Sequence, residues 1–213
     1  CMFRNRMEAG LMLAARLQKY KDKEGVILAV PRGGVPVAYA VAKELGLPVQ
    51  LILVKKIGHP FNKEYAIGAA GLIDYFVIPH ENVTDEYIKS ELIRIRTRLH
   101  EMQKHFMGSK APLSLEGKTV IVIDDGIATG NTLLGTISLL RKNKPGKIVI
   151  AVPVASDNAV EKLSDVADEV ISVLVPHEFY GVGAFYEDFQ QVTDEEVKFY
   201  LDKLTYPGMQ KFS

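Results

Sequence analysis

The sequence predicts an α/β protein with a mainly parallel, twisted sheet flanked by helices. Two observations carry this. Strand-like and helix-like patterns alternate along the chain, which implies βαβ units. Several strand segments are continuous apolar runs rather than alternating ones, as when both faces of a sheet are covered. A length of 213 residues suits one domain, with room for a small appendage. A hydrophobic fraction of 47% furnishes a core and excludes a disordered chain.

Taken in order, residues 7–20 carry Met7, Leu11, Ala14, Ala15 and Leu17 at helical spacing. Val26 to Val30 is a short apolar strand closed by Pro31-Arg32-Gly33-Gly34. Val37 to Leu45 reads as a helix stopped by Gly46 and Pro48. Val49 to Val54 is a strand, and Gly58 to Lys63 reads as a Gly/Pro/Asn loop. Ala66 to Gly71 and Tyr75 to Ile78 suggest a hairpin. Thr84 opens a long helix through Phe106, with Asp85 and Glu86 in its first turn. Val120 to Ile123 is a strand of four β-branched residues, followed by a Gly/Thr loop and a helix over Thr132 to Lys142. A strand (Lys147 to Val152), a short helix (Asn158 to Leu163) and a last strand (Glu169 to Val175) follow. An aromatic, Gly-bearing loop, Phe179 to Phe189, precedes a helix over Asp194 to Leu204. There is no internal repeat, low-complexity stretch or clear linker.

Composition excludes several classes. With 26 basic and 26 acidic residues the net charge is zero, which argues against a general nucleic-acid or membrane binder. One cysteine cannot form an internal disulfide or a Cys-rich zinc site. That residue, Cys1, stands before Met2 and reads as an addition to the natural start. The first residues lack a secretory apolar core, and no apolar run approaches the roughly 20 residues of a membrane helix. The expectation is a soluble, cytoplasmic protein. His100 and His105 are five apart and do not share a helical face; no H-E-x-x-H or G-x-S-x-G pattern occurs.

The strongest motif is the apolar strand that ends in Asp124 and Asp125 and runs through Gly126-Ile127-Ala128-Thr129-Gly130-Asn131-Thr132 into a helix. Gly126 and Gly130 allow a sharp turn and close approach to a ligand. Backbone N–H groups at a helix N-terminus suit an anion such as phosphate, and Thr129 and Thr132 add hydroxyls. Asp124 and Asp125 suit sugar hydroxyls or a magnesium-bound shell. Two adjacent carboxylates behind a buried strand are costly unless something pairs with them, so a mere helix cap is a poor account. The Walker pattern is absent, since Asn131 follows Gly130, and so is G-x-G-x-x-G.

This segment resembles the phosphoribosyl diphosphate (PRPP) binding motif of the type I phosphoribosyltransferases, and the resemblance extends over most of the chain. It implies a single domain over residues 1–213: a core to about residue 175 with the helix 84–106 inserted, then a small hood and C-terminal helix over 176–213. It implies transfer of ribose 5-phosphate from PRPP to a nitrogenous base with release of diphosphate and Mg2+ as cofactor. Asp124, Asp125 and Arg32 are then the catalytic residues, with Asp124 and Asp125 indirect metal ligands. Gly126, Ile127, Ala128, Thr129, Gly130, Asn131 and Thr132 hold the 5′-phosphate. Arg32, the amides of Gly33 and Gly34, and Lys55 and Lys56 hold diphosphate. A non-proline cis peptide is expected at or beside Arg32-Gly33. Residues Ile57 to Glu64 match the place of the family's mobile loop or its stem. In the hood, Phe179, Tyr180 and Glu187 are the base-binding residues, whereas Phe185 and Phe189 read as core.

Ala128 departs from the pattern. The 6-oxopurine members carry Asp there, so a hypoxanthine or guanine enzyme is disfavoured, although the aromatic Gly loop is similar to their hood. The inserted helix repeats Ile88, Leu92, Ile95, Leu99, Met102 and Phe106 in a narrow seam roughly 27 Å long. It is expected to pack on the core, with a homodimer contact or a lid as the alternative. Its Arg94, Arg96 and Arg98, partly balanced by Glu91 and Glu101, read as solvated. The competing functional reading is a non-catalytic PRPP- or nucleotide-binding regulator of the same fold.

Overall fold

The computed structural model describes residues 2–204; Cys1 and the last part of the expected hood segment, 205–213, lie outside them. In chain order the elements are α1 (Arg6–Arg16), β1 (Gly25–Ala29), α2 (Gly34–Leu45), β2 (Val49–Leu51), β3 (Lys55–His59), β4 (Asn62–Ala70), β5 (Tyr75–Val77), α3 (Asp85–Met107), β6 (Thr119–Ile123), α4 (Asn131–Arg141), β7 (Lys147–Val154), α5 (Asp157–Ser164), β8 (Glu169–Leu174) and α6 (Asp194–Lys203), with short 3-10 turns at Gln18–Tyr20 and Val182–Phe185. The chain packs as two compact units. Among the described residues, one holds 2–52, 112–130 and 144–204; the other holds 53–111 and 131–143.

The first unit is built on a five-stranded sheet in the order β2-β1-β6-β7-β8, every pair parallel. The apolar runs are its central strands. Val120 to Ile123 and Ile148 to Val152 are fully buried, a gross gain of about 1.5–3 kcal/mol for each large side chain. The ends of the helices follow capping chemistry. The Asn5 side chain accepts from the Glu8 amide to start α1, and Thr193 and Glu196 form a reciprocal capping box on α6. Gly46 closes α2 at φ 68°, a left-handed position that suits glycine. Helix α2 begins at Gly34, three residues before the expected Val37. Pro36 lies in its first turn, where a missing N–H leaves no intrahelical bond unmade. Strand β2 stops at Leu51, short of the expected Val54.

The second unit contains a three-stranded antiparallel sheet, β3-β4-β5. The expected hairpin of residues 66–78 is β4–β5. The expected loop over Gly58 to Lys63 is instead a second hairpin: His59 pairs with Asn62 across Pro60-Phe61. Lys55 and Lys56, which directly follow the strand expected over Val49 to Val54, begin β3. Helix α3 starts at the Thr84 cap, whose side chain accepts from the Tyr87 amide at 3.2 Å. Its seam is covered within this unit: Leu92, Ile95 and Leu99 are buried with Ile57, Ile67 and Ala70, and Ile88 and Met102 pack at the margin. Arg94 and Arg98 are exposed, as expected, whereas Arg96 is partly buried. Arg94 pairs with Glu91 at 2.9 Å, and Arg96 donates to the Ile73 carbonyl at 2.8 Å. Among the described residues, no helix is long and apolar enough to cross a membrane.

Candidate functional site

The site grows from the carboxyl end of β6. The strand pins its last residue, Ile123, between β1 and β7, so the next two residues leave the sheet together at an edge where open parallel sheets bind ligands. The Asp125 amide donates to Asp124 Oδ1 at 2.8 Å. Burial, and next the adjacent Asp125 carboxylate, push the Asp124 carboxyl well above the usual carboxylate range.

Asp125 has a partner far away in sequence. Arg6 Nε donates to its Oδ2 at 2.9 Å, with only 11% and 14% of the two side chains exposed. The same guanidinium donates through Nη1 to the Gln190 carbonyl at 2.7 Å and lies 4.0 Å from the Phe189 ring centre. Tyr186 donates its hydroxyl to the Asp125 carbonyl at 2.6 Å. Burial, then Asp125, drive the Tyr186 phenol up, so it is a hydrogen-bond donor and not an acid near neutral pH. Arg6 and Tyr186 are the members that sequence reasoning did not find. One signal existed: a cation on the first residue of a helix opposes the helix dipole and needs another reason to be there.

The Pro31–Arg32 peptide is cis, beside the Arg32–Gly33 bond. Gly33 and Gly34 serve the acids by having no side chain. A Cβ on Gly33 would lie 2.1 Å from Asp125 Oδ2, and one on Gly34 would lie 2.7 Å from the Ile123 carbonyl. The Gly34 amide, expected to face diphosphate, donates to the Val30 carbonyl at 3.0 Å. Arg32 is half-exposed and reaches Asp194 at 3.3 Å.

The loop after the acids is anchored to β7. The Ile127 amide, expected to face a phosphate, donates to the Val154 carbonyl at 3.0 Å, and Ser156 Oγ donates to the Ala128 carbonyl. Gly126 is packed so closely that a Cβ would meet Val182 Cγ1 at 2.5 Å. Gly130 takes φ 73° and the chain continues into α4 with Asn131 and Thr132, both exposed and both in the second unit.

The expected base-binding residues divide. Phe179 is half-buried and packs with Phe185, ring centres 5.6 Å apart, on the cluster of Phe3, Ala9, Val154 and Tyr186. Its ring is thus partly covered by the hood cluster. Phe185 and Phe189 pack on the same cluster. Tyr180 is 82% exposed and hydrogen-bonds Glu178; Glu187 is exposed, with its amide on the Phe3 carbonyl.

Lys55 and Lys56 belong to the second unit. Burial, then Arg98 and Arg94, hold Lys55 below the ordinary lysine range. Lys56 is exposed and pairs with Glu64 at 2.9 Å. No cluster of three or more His, Cys, Asp or Glu side chains suited to a metal ion exists among the described residues. Two adjacent oxygen donors at Asp124 and Asp125 fit a hard cation only if a substrate supplies most of its ligands.

Comparison with known proteins shows the family. Residues 6–189 match the family described as Phosphoribosyl transferase domain. The chain is 36% identical over 207 residues to the Mycobacterium tuberculosis protein named "Putative phosphoribosyl transferase Rv0571c", covering 95% of this chain and 47% of that one. It thus spans about half the length of that relative. The crystal structure of TT1426 from Thermus thermophilus superposes with a TM-score of 0.85 at 38% identity, over 94% of this chain and 98% of that one. The purine biosynthesis transcriptional repressor PurR of Bacillus subtilis is 28% identical over 149 residues, 70% of this chain and 41% of the repressor. The carboxyl-end acids, the loop that follows them and the match over residues 6–189 together place this chain in the phosphoribosyl transferase domain family.

Proposed function

We propose that this chain is a PRPP-dependent phosphoribosyltransferase that moves ribose 5-phosphate to a ring nitrogen of a base-like acceptor and releases diphosphate. The observation that carries the reading is the pair Asp124–Asp125 at the carboxyl end of β6, one acid buried and the other locked by Arg6. A purely structural pair would not retain a second carboxylate at a cost.

The acids hold the 2′ and 3′ hydroxyls of the ribose and stabilise positive charge on the ring as the bond to diphosphate breaks. Residues 126–132 hold the 5′-phosphate, through groups other than the Ile127 amide, which is spent on Val154. Arg32 binds diphosphate after leaving Asp194, an exposed pair worth little in water. Mg2+, the family's usual companion of PRPP, would sit beside Asp124 and Asp125 and neutralise diphosphate charge. Tyr180 and Glu187 are the exposed hood groups left to meet an acceptor. Lys55 and Lys56 remain proposed diphosphate ligands in their own right.

A second reading, a PRPP- or nucleotide-sensing regulator, is favoured by the similarity to a transcriptional repressor. One experiment separates the two: magnesium-dependent diphosphate release from PRPP, against a panel of purine and pyrimidine bases with a no-base control. Release with one base class is the expected result and names the acceptor class. Tight PRPP binding without release under any base supports the regulator. Neither binding nor release overturns both.

A further inference from the structure

Resting on that reading, we infer that Arg6 is a positioning residue for the acid pair, acting on PRPP through Asp125 without touching the substrate. Five observations support this. Arg6 Nε fixes Asp125 Oδ2 at 2.9 Å. Its other end is held by the Gln190 carbonyl at 2.7 Å and by the face of Phe189. Tyr186 fixes the Asp125 backbone from the carbonyl side at 2.6 Å. Gly33 closes the remaining wall, with no room for a methyl group beside Oδ2.

The consequence is a division of labour between neighbours of identical chemistry. Asp125 has one oxygen committed to a buried guanidinium and cannot swing. A guanidinium fork with both ends engaged fixes direction as well as charge, which a lone ammonium does not. The acid pair is thus set by α1 at one end of the chain and by the segment 186–190 near the other, and its geometry depends on both being folded. Oriented carboxylates are worth more to a ligand than mobile ones, because their ordering cost is met before binding.

The test is a double-mutant cycle read by calorimetric PRPP binding in the presence of Mg2+. R6M is expected to weaken PRPP binding by about tenfold or more, the usual scale for loss of an outer-shell partner. R6M/D125N is expected to bind no more weakly than D125N, because Arg6 acts only through Asp125. R6K, which keeps the charge and loses the fork, is expected to restore part of the affinity. Wild-type affinity in R6M overturns the inference. So does a double variant weaker than D125N by the full R6M factor, since Arg6 would then act independently. If R6M does not fold, the same cycle with R6K decides by the same two criteria. Failure of the unmodified chain to bind PRPP is a different result: it removes the functional reading, and this inference with it.

Discussion

The two ends of the parallel sheet each carry an ionic cluster, and they differ in where the surplus charge is kept. At the amino end, Glu169 of β8 accepts from Lys19, Tyr20 and Lys147. Two lysines face one carboxylate, and the extra cation is in water: the Lys19 and Lys147 side chains are 53% and 38% exposed. At the carboxyl end, two carboxyl groups stand beside one arginine; Arg6 pairs with Asp125, and burial and Asp125 disfavour the charged form of the surplus acid, Asp124. The first arrangement costs little and ties Lys19 and Tyr20, just beyond α1, to two strand ends. The second costs stability, and such costs persist where a ligand repays them. Equal charge imbalance therefore has opposite meaning, decided by solvent.

The sharpest way to break this contrast is to remove the charge at the carboxyl end. Asp124→Asn with Asp125→Asn should reduce diphosphate release from PRPP by about a thousandfold or more, on the scale of lost transition-state electrostatics. Circular dichroism should show the fold retained. Unchanged turnover in that variant would remove the acids from the chemistry. Next comes Gly33→Ala, whose Cβ would sit on Asp125 Oδ2. Overpacking there should cost about 1–3 kcal/mol in a denaturant melt, and PRPP binding should weaken with it. A variant as stable and as tight as the parent would show that the acid has room to move.

Asp124→Asn alone sharpens the comparison by separating stability from function. Replacing a buried carboxyl whose charged form burial and Asp125 disfavour should stabilise the fold by about 0.5–2 kcal/mol while PRPP binding falls. A destabilised variant would mean that Asp124 is a structural acid after all, like Glu169.

How legible was this in the sequence? The acid motif and the central strands were, because Val120 to Ile123 is buried on both faces and leaves no alternation to misread. The hairpin β3–β4 was not. Its tip, Phe61 to Ala66, is exposed, so the residues Gly58 to Lys63 carry no burial period and their Gly, Pro and Asn read as a loop. The start of α2 was missed because Gly and Pro look like punctuation even where a helix's first turn tolerates them. Arg6 lies 119 residues from Asp125, and no local pattern announces such a pair. That Phe179 packs beside Phe185 could not be read locally, because an aromatic loop does not reveal which of its rings face inward.

The smallest expected effect lies at the amino end and is the control for all the others. Burial alone would raise the Glu169 carboxyl, but hydrogen bonds from Lys19, Tyr20 and Lys147 outweigh it and hold the group down at about 2. A carboxylate depressed in the folded state contributes stability above its unfolded value of 4.5 and loses it as pH falls towards 2. Glu169→Gln should therefore lower stability at neutral pH by about 1 kcal/mol, since partial exposure of the lysines screens the cluster. The difference between parent and variant should shrink steadily between pH 4.5 and 2. PRPP affinity should not change, because this cluster sits at the starts of β7 and β8, the opposite end of the sheet from Asp124 and Asp125. Matched melts and calorimetry on the two proteins would measure both. A fall in PRPP affinity would mean that the two ends are coupled through the sheet, and that the amino-end cluster sets the position of the acids rather than only the stability of the strands between.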